Sequence, residues 1–149
     1  MNNVEKDYEV GFTCGAFDFL HAGHVLFLEE AKNNCDYLIV GLHIDPSVER
    51  PISKNKPIQT AFERYEQLRA CKYVDEIIPY ETEEELVSIL KSRRIDIRFL
   101  GSDYCNKDFT GEGLLPVCYI DREHSFSSSN IRKKIIEEYN SKNENSNIG

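Results

Sequence analysis

The sequence predicts an α/β fold: a single domain built on a doubly wound parallel sheet. Three observations carry that prediction. Strand-like apolar runs alternate with stretches of helical periodicity from residue 8 to residue 139. One of those runs, residues 37–43 (YLIVGLH), is apolar nearly throughout, as expected of a strand covered on both faces. The chain has 149 residues, enough for one real core and too few for two.

The elements follow in order. Residues 8–14 read as a first strand, and residues 24–33 carry Val25, Leu28 and Ala31 at helical spacing. The second strand is followed by a long segment, 44–59, containing Pro46, Pro51 and Pro57. A connection of that length in a compact domain is often functional. Thr60 and Glu63 form a capping-box pattern that opens a second helix ending near Ala70. Residues 76–79 form a short strand. Thr82 and Glu85 repeat the capping pattern, and Leu86, Ile89 and Leu90 give the third helix its apolar face. Residues 95–101 are a strand, 102–113 a polar loop, and 115–120 the last strand. A final helix over 127–139 is expected to turn Ile131, Ile135 and Ile136 inward. The domain is thus read as 1–139, with 140–149 a polar, frayed tail.

The formal charge is −8 and the isoelectric point about 5.0. That balance argues against nucleic acid or an anionic membrane as partner. It also means that basic residues must be focused locally if an anionic ligand is bound. The cysteines Cys14, Cys35, Cys71, Cys105 and Cys118 are odd in number and none is spaced C-x-x-C. No disulfide framework or cysteine zinc site is expected, and a reducing, cytoplasmic setting is. The first ten residues are polar and the longest apolar run, 37–42, is too short for a membrane span.

Ligands of doubly wound sheets bind beyond the carboxyl ends of the strands. Three segments should meet there: the turn after the first strand, the loop after the second and the turn before the last helix. The first turn holds Gly15 through His24. Gly15 permits close backbone approach and Gly23 keeps the space between two histidines open. His21 and His24 stand at the mouth of a helix, whose free N–H groups form an anion site. The helix terminus favours a neutral His24, which still donates one N–H. Two other readings stand beside this one: structural histidines, or a metal pair completed by His43 or His124. In the second segment Lys54 and Lys56 follow Arg50 as a small basic cluster, or simply a solvated loop. In the third, Ser127, Ser128 and Ser129 can cap the helix or, with Arg122, hold a phosphate. Of Arg132, Lys133 and Lys134, some must lie on a solvated face.

Several of these runs resemble a known family. Gly15-Ala16-Phe17-Asp18 followed by His21-Ala22-Gly23-His24 resembles the H-x-G-H signature of the nucleotidylyltransferase superfamily. The cytidylyltransferase branch, which includes glycerol-3-phosphate, phosphocholine and phosphoethanolamine enzymes, is most similar. Residues 122–129 (REHSFSSS) align without gaps to its second signature, R-T-E-G-I-S-T-[ST]. Glu63-Arg64-Tyr65, residues 71–76 (CKYVDE) and Gly101-Ser102-Asp103-Tyr104 resemble its E-R-Y, C-R-Y-V-D-E and G-D-D-W segments. Lys54 lies where the family's catalytic lysine is expected.

The resemblance implies a Rossmann-like domain, usually a homodimer, that transfers CMP from CTP to a phosphorylated small alcohol and releases pyrophosphate with Mg²⁺. It makes His21, His24, Lys54 and Arg122 catalytic. It assigns the nucleotide to Thr13, Cys14, Gly15, Ala16, Phe17, Gly23, Gly101, Asp103, Ser127, Ser128 and Ser129, together with His21, His24 and Arg122. The acceptor would meet Asp18, Lys54, Lys56 and Tyr104, although Asp18 and Arg64 also suit ion pairs. No protein ligand is assigned to the metal. The residue types agree with this chemistry. A phosphate acceptor, with a second pKa of about 6, is already ionised and needs no general base. The task is to align two anions and neutralise growing charge.

The chain also departs from the family pattern. Ala16 stands where Thr or Ser is usual, His124 and Ser125 replace Glu-Gly, Tyr104 replaces Trp and Lys72 replaces Arg. These departures point to a variant acceptor or a slower enzyme. Glycerol phosphate would need hydroxyl partners, and choline phosphate an aromatic cage, for which Tyr104, Phe109 and Tyr119 are candidates. Two further readings are an adenylyltransferase acting on a sugar phosphate or flavin mononucleotide, and a non-catalytic nucleotide-binding module.

Overall fold

The first strand, β1 (Tyr8–Gly15), becomes the centre of a five-stranded sheet in the computed structural model, which describes residues 6–121 and 126–146. The others are β2 (Cys35–His43), β3 (Glu76–Tyr80), β4 (Ile97–Gly101) and β5 (Val117–Ile120). Their order is β3-β2-β1-β4-β5 and every pairing is parallel. The chain winds outward from β1 to β3, then crosses back to lay β4 on the other side of β1. The reversal between β1 and β4 is the switch point at which such sheets open a crevice.

The helices are α1 (Ala22–Asn33), α2 (Ala61–Ala70), α3 (Glu83–Ser92) and α4 (Ser128–Ser146). Thr60 and Thr82 cap α2 and α3 as predicted, accepting the backbone N–H of Glu63 at 3.2 Å and of Glu85 at 3.1 Å. Side chains of β2 alternate between two buried faces. Leu38, Val40 and Leu42 pack with Leu28 and Ala31 of α1 and Leu68 of α2. Ile39 packs with Phe12, Tyr80 and, from α3, Leu86 and Leu90. Helices thus cover both faces, which is why the strand lacks polar alternation. All five cysteines are free thiols. Among the described residues, no helix is long and apolar enough to cross a membrane.

Gly41 faces the second of these clusters. A Cβ there would lie 2.9 Å from Phe12 Cζ, 3.0 Å from Cys14 Cβ and 3.1 Å from Tyr80 Cε1. Gly41→Ala is therefore expected to lower stability by about 1–3 kcal/mol, read by thermal or urea melting. An unchanged midpoint would contradict this packing.

The last helix departs from expectation. It does not stop at Tyr139 but continues to Ser146, so residues 140–146, read from sequence as a tail, are helical. It buries no residue, and Ile135 and Ile136 are exposed instead of facing inward. Both sheet faces are already covered by α1, α2 and α3, and among the described residues Ser128 and Arg132, in the first turns of α4, tie it to Asp18. Its apolar positions follow helical spacing without reaching the core.

Candidate active site

At the carboxyl end of β1 the chain makes a tight turn before entering α1. Phe17 and Phe19 adopt positive φ, 51° and 54°, a region that non-glycine residues enter at a cost of about 1–3 kcal/mol. The turn is held from outside. Phe19 N–H donates to Gln59 Oε1 at 2.7 Å. Asp18, which is 5% exposed, accepts Ile58 N–H at 2.9 Å, Gln59 N–H at 3.0 Å and Arg132 Nη2 at 2.6 Å. Its backbone carbonyl accepts Ser128 Oγ at 2.8 Å. One carboxylate thus joins the first turn, the end of the 44–59 segment and the start of α4. The resemblance placed Asp18 on the acceptor, but here its two oxygens already receive three donors from the protein. Arg132, read as one of three helix cations, is the ion partner rather than a solvated residue.

Arg64 does the same work from α2. It is 2% exposed and donates to the carbonyls of Gln59 (3.1 Å), Ala16 (3.0 Å), His43 (2.7 Å) and Ile44. Burial pulls its pKa below the usual arginine value, while nearby Asp18 and Asp45 oppose that shift.

The two histidines open α1 as a reciprocal cap. His21 is the N-cap and α1 begins at Ala22, earlier than predicted. His21 Nδ1 accepts the backbone N–H of Gly23 at 3.0 Å and of His24 at 3.4 Å. His24 Nδ1 accepts the backbone N–H of His21 at 3.3 Å. The rings stack with centroids 3.7 Å apart. An Nδ1 that accepts carries no proton, so each neutral ring bears its N–H on Nε2. The arrangement presets two donors, and it leaves neither Nδ1 available as a metal ligand.

Around this turn lies a cleft of about 490 Å³. Its lining includes Thr13, Cys14, Gly15, Ala16, Phe17, Asp18, His21, Gly23, His24, Lys54, Gly101, Tyr104, Ser128 and Ser129. Sequence-predicted residues from all three segments therefore meet. Thr13 Oγ1 is turned to the sheet, donating to the Phe99 carbonyl at 3.0 Å. Lys54 is half-buried and its ammonium has no ion partner among the described residues. Asp103, Ser127 and Lys56 do not line the cleft. Asp103 and Lys56 are exposed, and Ser127 Oγ accepts the backbone N–H of Asn130 at 3.1 Å as a helix cap. Arg122 and His124 lie outside the described residues. Tyr104 and Phe109 share the cleft, but Tyr119 does not, so the three do not form a cage.

Sequence reasoning missed Arg98. It sits in β4 at 3% exposure, lines the cleft, and donates to the Thr110 carbonyl and to Cys14 Sγ at 3.6 Å. Its Nε is buried without a partner, and no carboxylate pairs with it among the described residues. The guanidinium lies 5.2 Å from the Phe109 ring centre. The available signal was a cation inside an otherwise apolar strand, IRFLG.

The family model for cytidylyltransferase-like proteins matches residues 12–134. The chain belongs to the cytidylyltransferase-like family. That membership covers the sheet, the histidine turn and the start of α4, and it makes the domain a nucleotidyltransferase. The chain is similar to the bifunctional protein HldE of Campylobacter jejuni (strain RM1221), 40% identical over 134 residues, 88% of this chain and 28% of that protein. HldE of Helicobacter pylori (strain P12) is 35% identical over 133 residues, 89% of this chain and 29% of that protein. The chain thus spans less than a third of the curated relatives it matches. The crystal structure of the lipopolysaccharide core biosynthesis protein from Thermoplasma volcanium GSS1 shares the fold, with a TM-score of 0.56, 22% identity and 87% coverage of both chains.

Proposed function

We propose that the domain transfers a nucleotidyl group from a nucleoside triphosphate to a phosphorylated small acceptor, an oxygen of the acceptor phosphate attacking the α-phosphorus and pyrophosphate leaving. The observation that carries this reading is the paired histidine cap at the switch point, with both Nδ1 atoms engaged and both Nε2–H groups preset as donors. Such donors stabilise charge as it develops and need no reorganisation at the moment of reaction. Lys54 neutralises the reacting phosphates, and the N-terminus of α4 with Ser129 and Arg122 holds the leaving pyrophosphate. Asp18 and Arg64 position these groups by fixing the turn. The same reading includes pairing of two copies and Mg²⁺. Phosphate oxygens and water would be its ligands, because His21, His24 and Lys54 are donors or cations rather than oxygen ligands. When bound, Mg²⁺ neutralises triphosphate charge.

For the substrates, the HldE relatives favour ATP as donor and a sugar phosphate as acceptor. The cleft supports a polyhydroxy acceptor over a cationic one. Arg98 occupies the neighbourhood of Phe109, where a choline or ethanolamine group would seek an aromatic face. The second reading, CTP with a phosphorylated alcohol, rests on the motif resemblance at residues 15–24 and 63–76 and on the family's own description. Pyrophosphate release measured with each nucleoside triphosphate against sugar phosphates and phosphoalcohols separates them. Turnover restricted to ATP and sugar phosphates supports the first reading. Turnover restricted to CTP and a phosphoalcohol supports the second. Tight triphosphate binding with no turnover on the whole panel overturns both.

Arg98 gives a sharper prediction. Arg98→Met is expected to raise the acceptor KM about 10–100-fold, the weight of a lost charged hydrogen bond, with the donor KM unchanged. Its melting temperature should stay level or rise, since apolar replacement of a buried charge is often neutral or stabilising. Lost stability with an unchanged acceptor KM would make Arg98 purely structural.

A further inference from the structure

At the carboxyl end of β2 a second group of side chains converges. His43 ends β2, Glu49 follows in the long segment, and Glu83 opens α3. One ligand atom from each lies within 4.8 Å of the other two. His43 is 6% exposed and its Nε2 is buried with no hydrogen-bond partner. Its ring stacks on Tyr80 with centroids 4.6 Å apart, and it bonds the backbone of Glu81. With Nε2 unpartnered, that bond belongs to Nδ1–H, which leaves the lone pair on Nε2. A buried acceptor left unmet is costly, so a ligand at this spot would remove a penalty.

Both carboxylates show the same division of labour. Glu83 Oε1 accepts Arg50 Nη2 at 2.8 Å, and Glu49 Oε2 accepts the backbone N–H of Glu83 at 2.9 Å. Each is oriented through one oxygen and keeps the other. A carbonyl on the far nitrogen of the imidazole and hydrogen bonds on the carboxylates are the outer partners that orient metal ligands. Two carboxylates outweigh the one Arg50 charge, so the spot is net negative.

We propose that His43, Glu49 and Glu83 form a site for a divalent transition metal. One imidazole nitrogen and two carboxylate oxygens suit ions of the Zn²⁺ and Mn²⁺ class. His43 and Glu83 also line the cleft, so an open coordination position would face bound substrate. The site differs in its ligands from the Mg²⁺ that accompanies a triphosphate, and it needs no nucleotide.

The test uses the full chain free of nucleotide, with Mn²⁺ as probe and free ion read by electron paramagnetic resonance. A single saturable site that Zn²⁺ displaces is expected. Glu49→Gln should weaken it at least about tenfold. Glu49 is exposed, so this variant keeps the fold, which circular dichroism verifies. His43→Gln should weaken binding too, and if it fails to fold, Glu49→Gln decides. Absence of a saturable site in the folded wild-type chain, or affinity untouched by Glu49→Gln, overturns the proposal. A failed transferase assay would leave this result unaffected.

Discussion

His24→Ala is expected to lower turnover by about 10²–10³-fold, the usual weight of one preset donor to developing charge. The loss should fall on kcat rather than on nucleotide affinity, because the donor acts on charge that appears only as the pyrophosphate leaves. The fold should survive. His24 contributes one cap acceptor, to the backbone N–H of His21, worth about 1 kcal/mol. His21→Ala is the instructive comparison. His21 accepts two backbone N–H groups, so its loss should cost more stability than that of His24 while lowering turnover to a similar degree. Steady-state kinetics beside melting curves reads both effects. A His24→Ala enzyme with near-normal kcat would remove that residue from the chemistry.

Arg64→Met is expected to give the largest loss of stability, about 3–5 kcal/mol. The guanidinium is the shared donor for carbonyls of Ala16 in the first turn, His43 at the end of β2, and Ile44 and Gln59 at the two ends of the 44–59 segment. Removing it leaves buried acceptors unmet and releases the turn that orients the histidines. Arg64→Lys should recover only part, since a compact ammonium cannot fork to four directions. Activity should fall with stability in both variants, with donor and acceptor KM rising together as the cleft loosens. Urea unfolding reads the energy. A midpoint within about 0.5 kcal/mol of wild type would mean that these carbonyls find other partners.

The strands and the capping of α2 and α3 were legible because each rests on local pattern: apolar runs of strand length, and Thr with Glu three residues on. The meeting of His21, Lys54 and Ser128 in one cleft was legible from the rule that ligands gather at the carboxyl ends of such strands. What escaped was decided by distant partners. Asp18 and Arg132 are 114 residues apart, and nothing in either neighbourhood says that they meet. Ile135 and Ile136 obey helical spacing, yet α4 is exposed from Lys133 onward, so periodicity alone misassigned them to the core. Arg98 lies in a strand with no motif around it, and its significance appears only when the burial around it is known. Acceptor identity depends on that same non-local surface, which the local motifs do not reach.

In the proposed reaction an acceptor phosphate oxygen attacks the α-phosphorus of the nucleotide. The direct test is turnover of an acceptor whose phosphate carries ¹⁸O, followed by ³¹P NMR. All the label is expected to stay in a new nucleoside diphosphate product, including its bridging oxygen, and none in the released pyrophosphate. Label in the pyrophosphate, or nucleotide consumed to the monophosphate without a coupled product, would contradict it.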